Sequence, residues 1–440
     1  MYQLKNNAKQ KISLTEAVSI AVGTMIGASI FAIFGVGAQI AKQNLPEAFV
    51  LSGLFALTVA YSYTKMGAKI VSNAGPIAFI LKGFGDTVLT GSLSILMWLS
   101  YVVSISMFAK GFAGYFLPLF NIPVTSIALG VTEAVVISFF TVLNFFGSKA
   151  IGKTEVYIVL IKLLILGVFI VFGFIAIKPD YIAPAFDAGH ISGMINASVI
   201  FFLSYMGFGL ITNISENMEN PKKNVPRAIY ISIAVVAFVY ISVALVAVGN
   251  LPLDALIKAQ DNALAVAAQP FLGKFGFLLI SIGALFSISS ALNATLYGGA
   301  NVAYSFAKEG ELPEFFERKI WFGTTEGLYF TAGLGLMFAL LFDIGGIAAI
   351  TSAVFTIIYL FVIYSHLKLI KEMGGNRYLV IINFIVVLAV FILLMYFQWR
   401  DQKMVFYGTI ITFAAAVILE SLYRSLSSRN FMKIHNPERK

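Results

Sequence analysis

The chain has 440 residues, 59% of them hydrophobic and 12% charged, with a net charge of +9 and no cysteine. Mean hydropathy is +0.89. A soluble domain carries about 25% charged residues, so a water-soluble fold is excluded and a polytopic membrane protein is expected; the absent cysteines exclude disulfides and thiolate metal sites.

Met1 to Lys11 is polar and basic, and the apolar stretch after it is too long for a signal-peptide core, so no cleaved leader is expected. Apolar runs then mark twelve spans, at 13–40, 46–64, 87–117, 122–146, 154–177, 191–215, 226–249, 270–306, 328–342, 345–367, 378–399 and 403–425. The ninth is short. Residues 1–12 form an N-terminal segment, 13–177 and 191–367 each hold five spans, 378–425 holds the last two, and 426–440 is a tail.

The loops sort the basic residues. On the side of the N-terminus lie Lys5, Lys9, Lys11, Lys65, Lys69, Lys82, Lys149, Lys153, Lys222, Lys223, Arg227, Lys308, Arg318, Lys319, Lys368, Lys371, Arg377 and five residues at the C-terminal end, 22 in all. The opposite side has Lys42, Lys178, Lys258, Lys274, Arg400 and Lys403, which is 6; Lys110 and Lys162 lie inside spans and complete the 30. Positive charge concentrates in the cytoplasm, so both termini are expected there, in a multi-pass protein of the cell membrane. The basic character is orientation in a lipid bilayer and not a nucleic-acid footprint.

Lys162 stands out. It lies within Val156-Tyr-Ile-Val-Leu-Ile-Lys-Leu-Leu-Ile-Leu-Gly-Val-Phe-Ile-Val-Phe172, a run with no other charge. A helix starting near Thr154 puts it roughly 12 Å along the axis, close to the midplane of a core about 30 Å thick. An unpaired ammonium there costs at least about 2.5 kcal/mol, so such groups face a cavity or a partner. A lysine able to lose its proton at that depth is a candidate proton carrier; the bland alternative is a structural lysine tied permanently to carbonyls.

Two spans contain helix-breaking residues at mid-membrane. The first holds Gly23-Thr-Met-Ile-Gly-Ala-Ser-Ile-Phe31, and the sixth holds Phe202-Leu-Ser-Tyr-Met-Gly-Phe-Gly-Leu-Ile-Thr-Asn213. Gly23 and Gly27 form a GxxxG pair, which alone reads equally well as close helix packing. The two stretches, however, are five spans apart. Five is odd, so a five-span repeat is inverted in the membrane, and interrupted helices at matching positions of inverted repeats mark a substrate site at the midplane. Half-helix N-termini suit a carboxylate and exposed carbonyls suit an ammonium. Together they describe a pocket for a zwitterion.

The sixth span continues as Asn213-Ile-Ser-Glu-Asn-Met-Glu-Asn-Pro-Lys-Lys-Asn-Val-Pro-Arg227. From Phe202 to Arg227 this resembles the sixth-span signature of the amino acid–polyamine–organocation (APC) superfamily. Gly23 to Phe31 resembles that superfamily's first-span motif, and Ala307-Lys-Glu-Gly-Glu-Leu-Pro-Glu-Phe-Phe316 its loop after the eighth span. The order and spacing match over nearly the whole chain, and the likeness is to proton-coupled amino acid transporters. The resemblance implies an all-α polytopic membrane protein of twelve transmembrane helices: a LeuT-like five-plus-five inverted repeat with broken first and sixth helices, plus two extra C-terminal helices.

It also implies roles. Met25, Gly27, Ala28 and Ser29 of the opened first span would hold the substrate's α-carboxylate and part of its ammonium by backbone. Phe202, Leu203, Ser204, Tyr205 and Met206 would supply carbonyls and pocket wall. Lys162 matches a fifth-span lysine that sits where sodium-coupled relatives bind sodium; its ammonium would reach carbonyls near Gly23 and hydroxyls around Ser289 and Ser290. Many members have an acid where this chain has Gly209, so cationic substrates are disfavoured. Burial penalises the charged form of a lysine. Charged, Lys162 would tie the first, fifth and eighth spans together; neutral, it would release them, coupling a proton to a conformational equilibrium.

Other residues carry weaker readings. Lys110, near the outer end of the third span, is expected to snorkel. Glu133 is about ten residues into the fourth span and reads as a carboxyl kept neutral by burial, with a second proton site as the alternative. Lys308 to Glu326 reads as an amphipathic segment at the interface. His190, His366 and His435 fall near span ends or in the tail, so no metal cluster is expected. No phosphate loop is present, which disfavours ATP-driven transport, and no cofactor is required.

A proton-coupled, sodium-independent symporter of neutral amino acids, broad in range and working by alternating access, fits best; the partners are then an amino acid, protons and lipid. An amino acid or amine exchanger of the same fold is the alternative. A channel or receptor fits less well, because the broken helices close around a site and no loop is long enough to sense a ligand. The 22-to-6 charge split predicts that reporters fused at the N-terminus and after Lys440 both read cytoplasmic; opposite sides would mean an odd number of spans.

Overall fold

The computed structural model describes residues 11–72, 74–144, 151–308, 316, 318 and 326–426. The first ten residues, the tail and most of the Lys308 to Glu326 segment lie outside them, as do the side chains of Ala28 and Ser29.

The first span is α1 (Leu14–Ala32) followed by α2 (Phe34–Ala41), and the second is α3 (Leu45–Gly67). A short α4 (Pro76–Phe84) leads to α5 (Val88–Leu119), α6 (Ser126–Leu143) and α7 (Ile151–Ile175). The sixth span is α8 (Ala188–Phe201), a 3-10 stretch over Phe202–Gly209 and α9 (Leu210–Asn213). After α10 (Pro221–Asn250), two short helices, α11 (Leu253–Lys258) and α12 (Ala263–Ala267), form a strap before α13 (Gln269–Lys308). Then come α14 (Glu326–Leu341), α15 (Ile344–Lys368), α16 (Ile370–Met373), α17 (Arg377–Asp401) and α18 (Lys403–Leu426). Among the described residues no strand occurs; an isolated bridge pairs Ile12 with Met218, joining the start of the first span to the loop after the sixth.

Eleven helical segments among the described residues are long and apolar enough to cross a bilayer. The 16-residue α14 is the short twelfth. Local sequence sets where spans begin. Thr87, Thr125 and Asp343 cap α5, α6 and α15, accepting from the backbone N–H of Thr90 at 3.3 Å, Ala128 at 3.1 Å and Gly346 at 2.6 Å. Pro46 and Pro221 sit in the first turns of α3 and α10, where a missing N–H costs nothing. Gly273, at φ +60°, makes a kink near the start of α13 that other residues would resist.

Burial divides the spans. In α5 and α15, 78% and 83% of the most apolar window is inside the protein, against 22% in α6 and 28% in α7, α17 and α18. So α5 and α15 form the interior, and the others face lipid. Helix α1 packs on the 3-10 stretch of the sixth span, on α10 and on α13.

The first span is interrupted, but beyond Gly23–Phe31: α1 stays helical to Ala32, and the irregular residue is Ile33. The reason lies in packing. A Cβ on Gly27 would stand 2.9 Å from Ala291 Cβ, so α1 lies directly against α13. Protein donors then meet α1's carbonyls without the helix having to open. The sixth span departs from α geometry over eight residues where expected. The irregular stretch of the sixth span touches regular α1: a Cβ on Gly207 would lie 2.7 Å from Met25 Cγ and 3.0 Å from the Met25 nitrogen.

Candidate functional site

Along α1, successive carbonyls receive side chains from four other helices. Lys162 of α7 donates from Nζ to Gly23 O at 2.6 Å. Tyr240 of α10 donates from its hydroxyl to Met25 O, with Ser204 O of the sixth span at 3.2 Å from the same oxygen. Ser287 of α13 donates to Gly27 O at 3.1 Å, with Ile26 O at 3.4 Å. Tyr115 of α5 donates to Phe31 O at 3.2 Å. The glycines of α1 let these helices come close, and the carbonyls supply the acceptors.

Sequence explains how Lys162 arrives there. Val159, Lys162, Leu166 and Phe169 are buried, while Leu160, Ile161 and Leu164 face outward. These spacings of three and four make one narrow inward stripe on a lipid-facing helix. Lys162 occupies that stripe and is 2% exposed. It borders a small cavity of about 90 Å³ between α7 and α13, which Ser287 and Gly283 also line.

A larger cavity, about 170 Å³, lies where α1 meets the irregular stretch of the sixth span. Thr24 and Met25 line it from α1, and Leu203, Ser204, Met206 and Gly207 from the sixth span. Ser100, Ser104 and Phe108 of α5, Thr295 of α13 and Tyr359 of α15 close the far wall. Among the described residues, none in the lining carries a charge. The cavity reaches Pro76, Asn213 and Gly298, toward the face where Ile12 pairs with Met218.

Of the residues singled out from sequence, Met25, Leu203, Ser204 and Met206 border this cavity. Gly27 instead packs on Ala291. Tyr205 turns away, donating to Phe49 O at 3.0 Å, and Phe202 packs edge-on against Phe55 and Tyr359. Gly209 lines the cavity and faces the ring of Tyr63. In the eighth span, Ser287 shares the Lys162 cavity; Ser289 lines a separate groove with Phe112 and Phe140, and Ser290 is half-buried on the next position. Ser287, Tyr240 and Tyr115 went unnoticed in the sequence because single hydroxyls are common in apolar runs. Ser100 and Ser104, one helical turn apart, carried a readable signal.

Lys110 does not snorkel. Its Nζ lies 3.2 Å from Glu133 Oε1, and α5 continues nine residues past it to Leu119. That is about 13 Å of helix, too far for the side chain to reach the span end, whereas α6 brings a carboxylate alongside. Glu133 is therefore an ion-pair partner and not an isolated buried acid.

An uncharged cavity between interrupted helices of a polytopic bundle is the arrangement of a solute transporter. Comparison gives the family: residues 12–419 match the amino acid permease family, and the chain belongs to it, within the APC superfamily. It is a membrane transporter and not an enzyme. An uncharacterized protein of Methanocaldococcus jannaschii is 66% identical over 429 residues, 98% of each chain. An inner membrane transport protein of Escherichia coli is 32% identical, covering 90% of this chain and 92% of its own. A methylthioribose transporter of Bacillus subtilis is 29% identical, covering 70% of this chain and 69% of its own.

The Tyr240 hydroxyl meets α1 and the irregular stretch of the sixth span at once. Tyr240→Phe leaves buried acceptors short of a donor and is predicted to cost about 1–3 kcal/mol of stability, read as a lower melting temperature in detergent. Uptake of labelled amino acid should slow in parallel. A variant as stable and as active as the parent would show that the hydroxyl holds neither region.

Proposed function

We propose that this permease couples amino acid uptake to protons, without sodium, by alternating access, and that Lys162 carries the coupling proton. The observation behind this reading is the 2.6 Å contact of the Lys162 ammonium with Gly23 O, one residue from Thr24 at the cavity wall. A charged donor makes a bond about twice as strong as a neutral one. Protonated Lys162 therefore holds α7 to α1 as a bound cation would. Once neutral, it holds less firmly, and α1 is freer to move with the sixth span. A proton gained on one side and lost on the other then biases which side the cavity faces.

We read the twelve spans as a five-plus-five inverted repeat over 13–177 and 191–367, followed by two further helices, with both termini cytoplasmic. The packing of the first span against the irregular stretch of the sixth supports this. In that orientation the cavity described here reaches toward the cytoplasm.

The substrate on this reading is a neutral amino acid. Carbonyls and hydroxyls around Thr24, Met25 and Ser204 suit the charged groups of its backbone, whereas no described residue of the lining offers a counter-charge to its side chain. Met25, Met97, Met107 and Met206 make the wall adaptable, which suits a broad range. Exchange of one amino acid for another is the alternative, since the same cavity serves it without net proton movement.

Two substitutions separate a coupling lysine from a structural one. Lys162→Ala removes charge and titration; Lys162→Arg keeps the charge but stays protonated at any relevant pH. Both are predicted to abolish uptake driven by an inward proton gradient in liposomes, with Arg as heat-stable as the parent. Active Arg with unstable Ala would instead mark a structural brace, and wild-type proton-driven uptake in either variant would exclude the coupling role.

Competition tests the substrate class. Unlabelled alanine, serine or leucine should inhibit uptake more than arginine or agmatine does, and clear superiority of arginine would contradict an uncharged side-chain pocket.

A further inference from the structure

Beyond Lys162, a second titratable group sits where the cavity is shut on the face opposite the termini. Helix α5 lays out the closure in order. Ser104 and Phe108 line the cavity. One turn farther, a Cβ on Gly111 would lie 2.6 Å from Ala32 Cβ and 3.4 Å from Ile288 Cδ1, so α1, α5 and α13 meet there without a gap. About 9 Å beyond Phe108 along the helix, Gly114 forms a notch filled by Asp261, whose Cβ would stand 2.3 Å from a Cβ at that position.

Asp261 belongs to the strap between α11 and α12. The neighbouring Gln260 has φ +48°, a left-handed turn, and its carbonyl presses on Gly35 of α2, where a Cβ would fall 1.8 Å from the oxygen. The strap thus rests on the first span through Gln260 and on α5 through Asp261. Opening this face requires the first span and α5 to part, which the strap prevents while both contacts hold.

We propose that Asp261 is a proton-operated latch on this strap: neutral, it stays in the Gly114 notch and keeps the cavity shut toward the face opposite the termini; ionised, it leaves the notch for water and lets the strap lift. The latch rests on reading this as the outer face of an alternating-access transporter. It is distinct from Lys162, which lies on α7 and contacts α1 at Gly23.

The surroundings set the sign. Burial pushes the Asp261 carboxyl up to about 6, Glu133 and Asp343 push the same way, and Lys110 pulls it back. Tyr115 of α5 is the other ionisable neighbour. Helices α2 and α12, which flank the strap, carry no ionisable residue, and α11 contributes Asp254 and Lys258. A free aspartate titrates near 3.9. The seated form holds its proton more tightly than the released form, so acid on this face favours closure. Closure gained this way grows as pH falls through about 6, saturates near the free value, and is lost as pH rises through about 6.

The chain has no cysteine, so a single one reports cleanly. Ile288→Cys places a thiol in the fully buried seam; Phe186→Cys, exposed in the loop before α8, gives the reference rate at each pH. The full chain in liposomes is labelled with a membrane-impermeant maleimide between pH 4.5 and 7.5, applied to each face in turn. A reversed orientation then shows as the labelled face and not as a missing pH response. Relative to the reference, Ile288→Cys labelling should slow as pH falls below about 6, by up to about tenfold per pH unit. Asp261→Asn should label slowly at every pH. Gly114→Ala, which fills the notch, should label fast at every pH, and it keeps the test decisive should Asp261→Asn fail to fold. The pH at which labelling slows should not move in Lys162→Ala, whatever that variant's overall rate, which separates the latch from the coupling lysine. A flat profile in Ile288→Cys, an unaltered profile in Asp261→Asn or Gly114→Ala, or a shift of that pH in Lys162→Ala would overturn the proposal.

Discussion

The backbone of α1 between Gly23 and Phe31 is the constraint on which the rest of the molecule depends. A transmembrane helix must satisfy its own polar groups or find partners in protein. Here α5, α7, α10 and α13 each send one donor to that stretch: Tyr115, Lys162, Tyr240 and Ser287. Any displacement of α1 must therefore break or exchange contacts with several helices at once. That makes the stretch a natural place for discrete alternatives, because packed interfaces switch between arrangements more readily than they deform.

Helix α5 is the complementary fixed element. Glycines along it form seats for groups from elsewhere: Gly91 for the Glu420 carboxylate of α18, Gly111 for Ala32 and Gly114 for Asp261. Small residues allow such approach in a membrane, where lipid offers no hydrophobic drive to association. Near the Gly91 seat, Arg424 pairs with both Asp86 and Glu420, which ties α18 to the start of α5. The α5 face between the seats, with Ser100, Ser104 and Phe108, forms one wall of the cavity. Through Tyr240 and the Ile12–Met218 bridge the first and sixth spans are joined to each other as well as to this wall.

Much of this was legible in the sequence. Twelve apolar runs and the glycine-rich interruption of the sixth span are properties of composition and spacing, which a bilayer reads directly. Lys162 was legible because a lone charge in such a run demands a partner. What stayed hidden depends on contacts between helices. Ile33, the irregular residue of the first span, is apolar and has no turn chemistry; only the packing of Gly27 on Ala291 explains why the helix persists that far. Tyr240 looks like any tyrosine near the middle of a span. Lys110 and Glu133 are twenty-three residues apart in different spans, and their 3.2 Å contact follows only once α5 and α6 lie side by side. Asp261 lies in a loop whose sequence carries no sign that Gly114 has room for it.

The most direct test of the central account is whether protons travel with the substrate. Proteoliposomes containing a trapped pH-sensitive dye, with equal pH on both sides and no sodium, are given a neutral amino acid from outside. The account predicts that the lumen acidifies as the amino acid enters, in the wild-type protein and not in Lys162→Ala. Entry of amino acid with no change in luminal pH, or entry only when the liposomes are preloaded with amino acid, would contradict it and establish exchange instead.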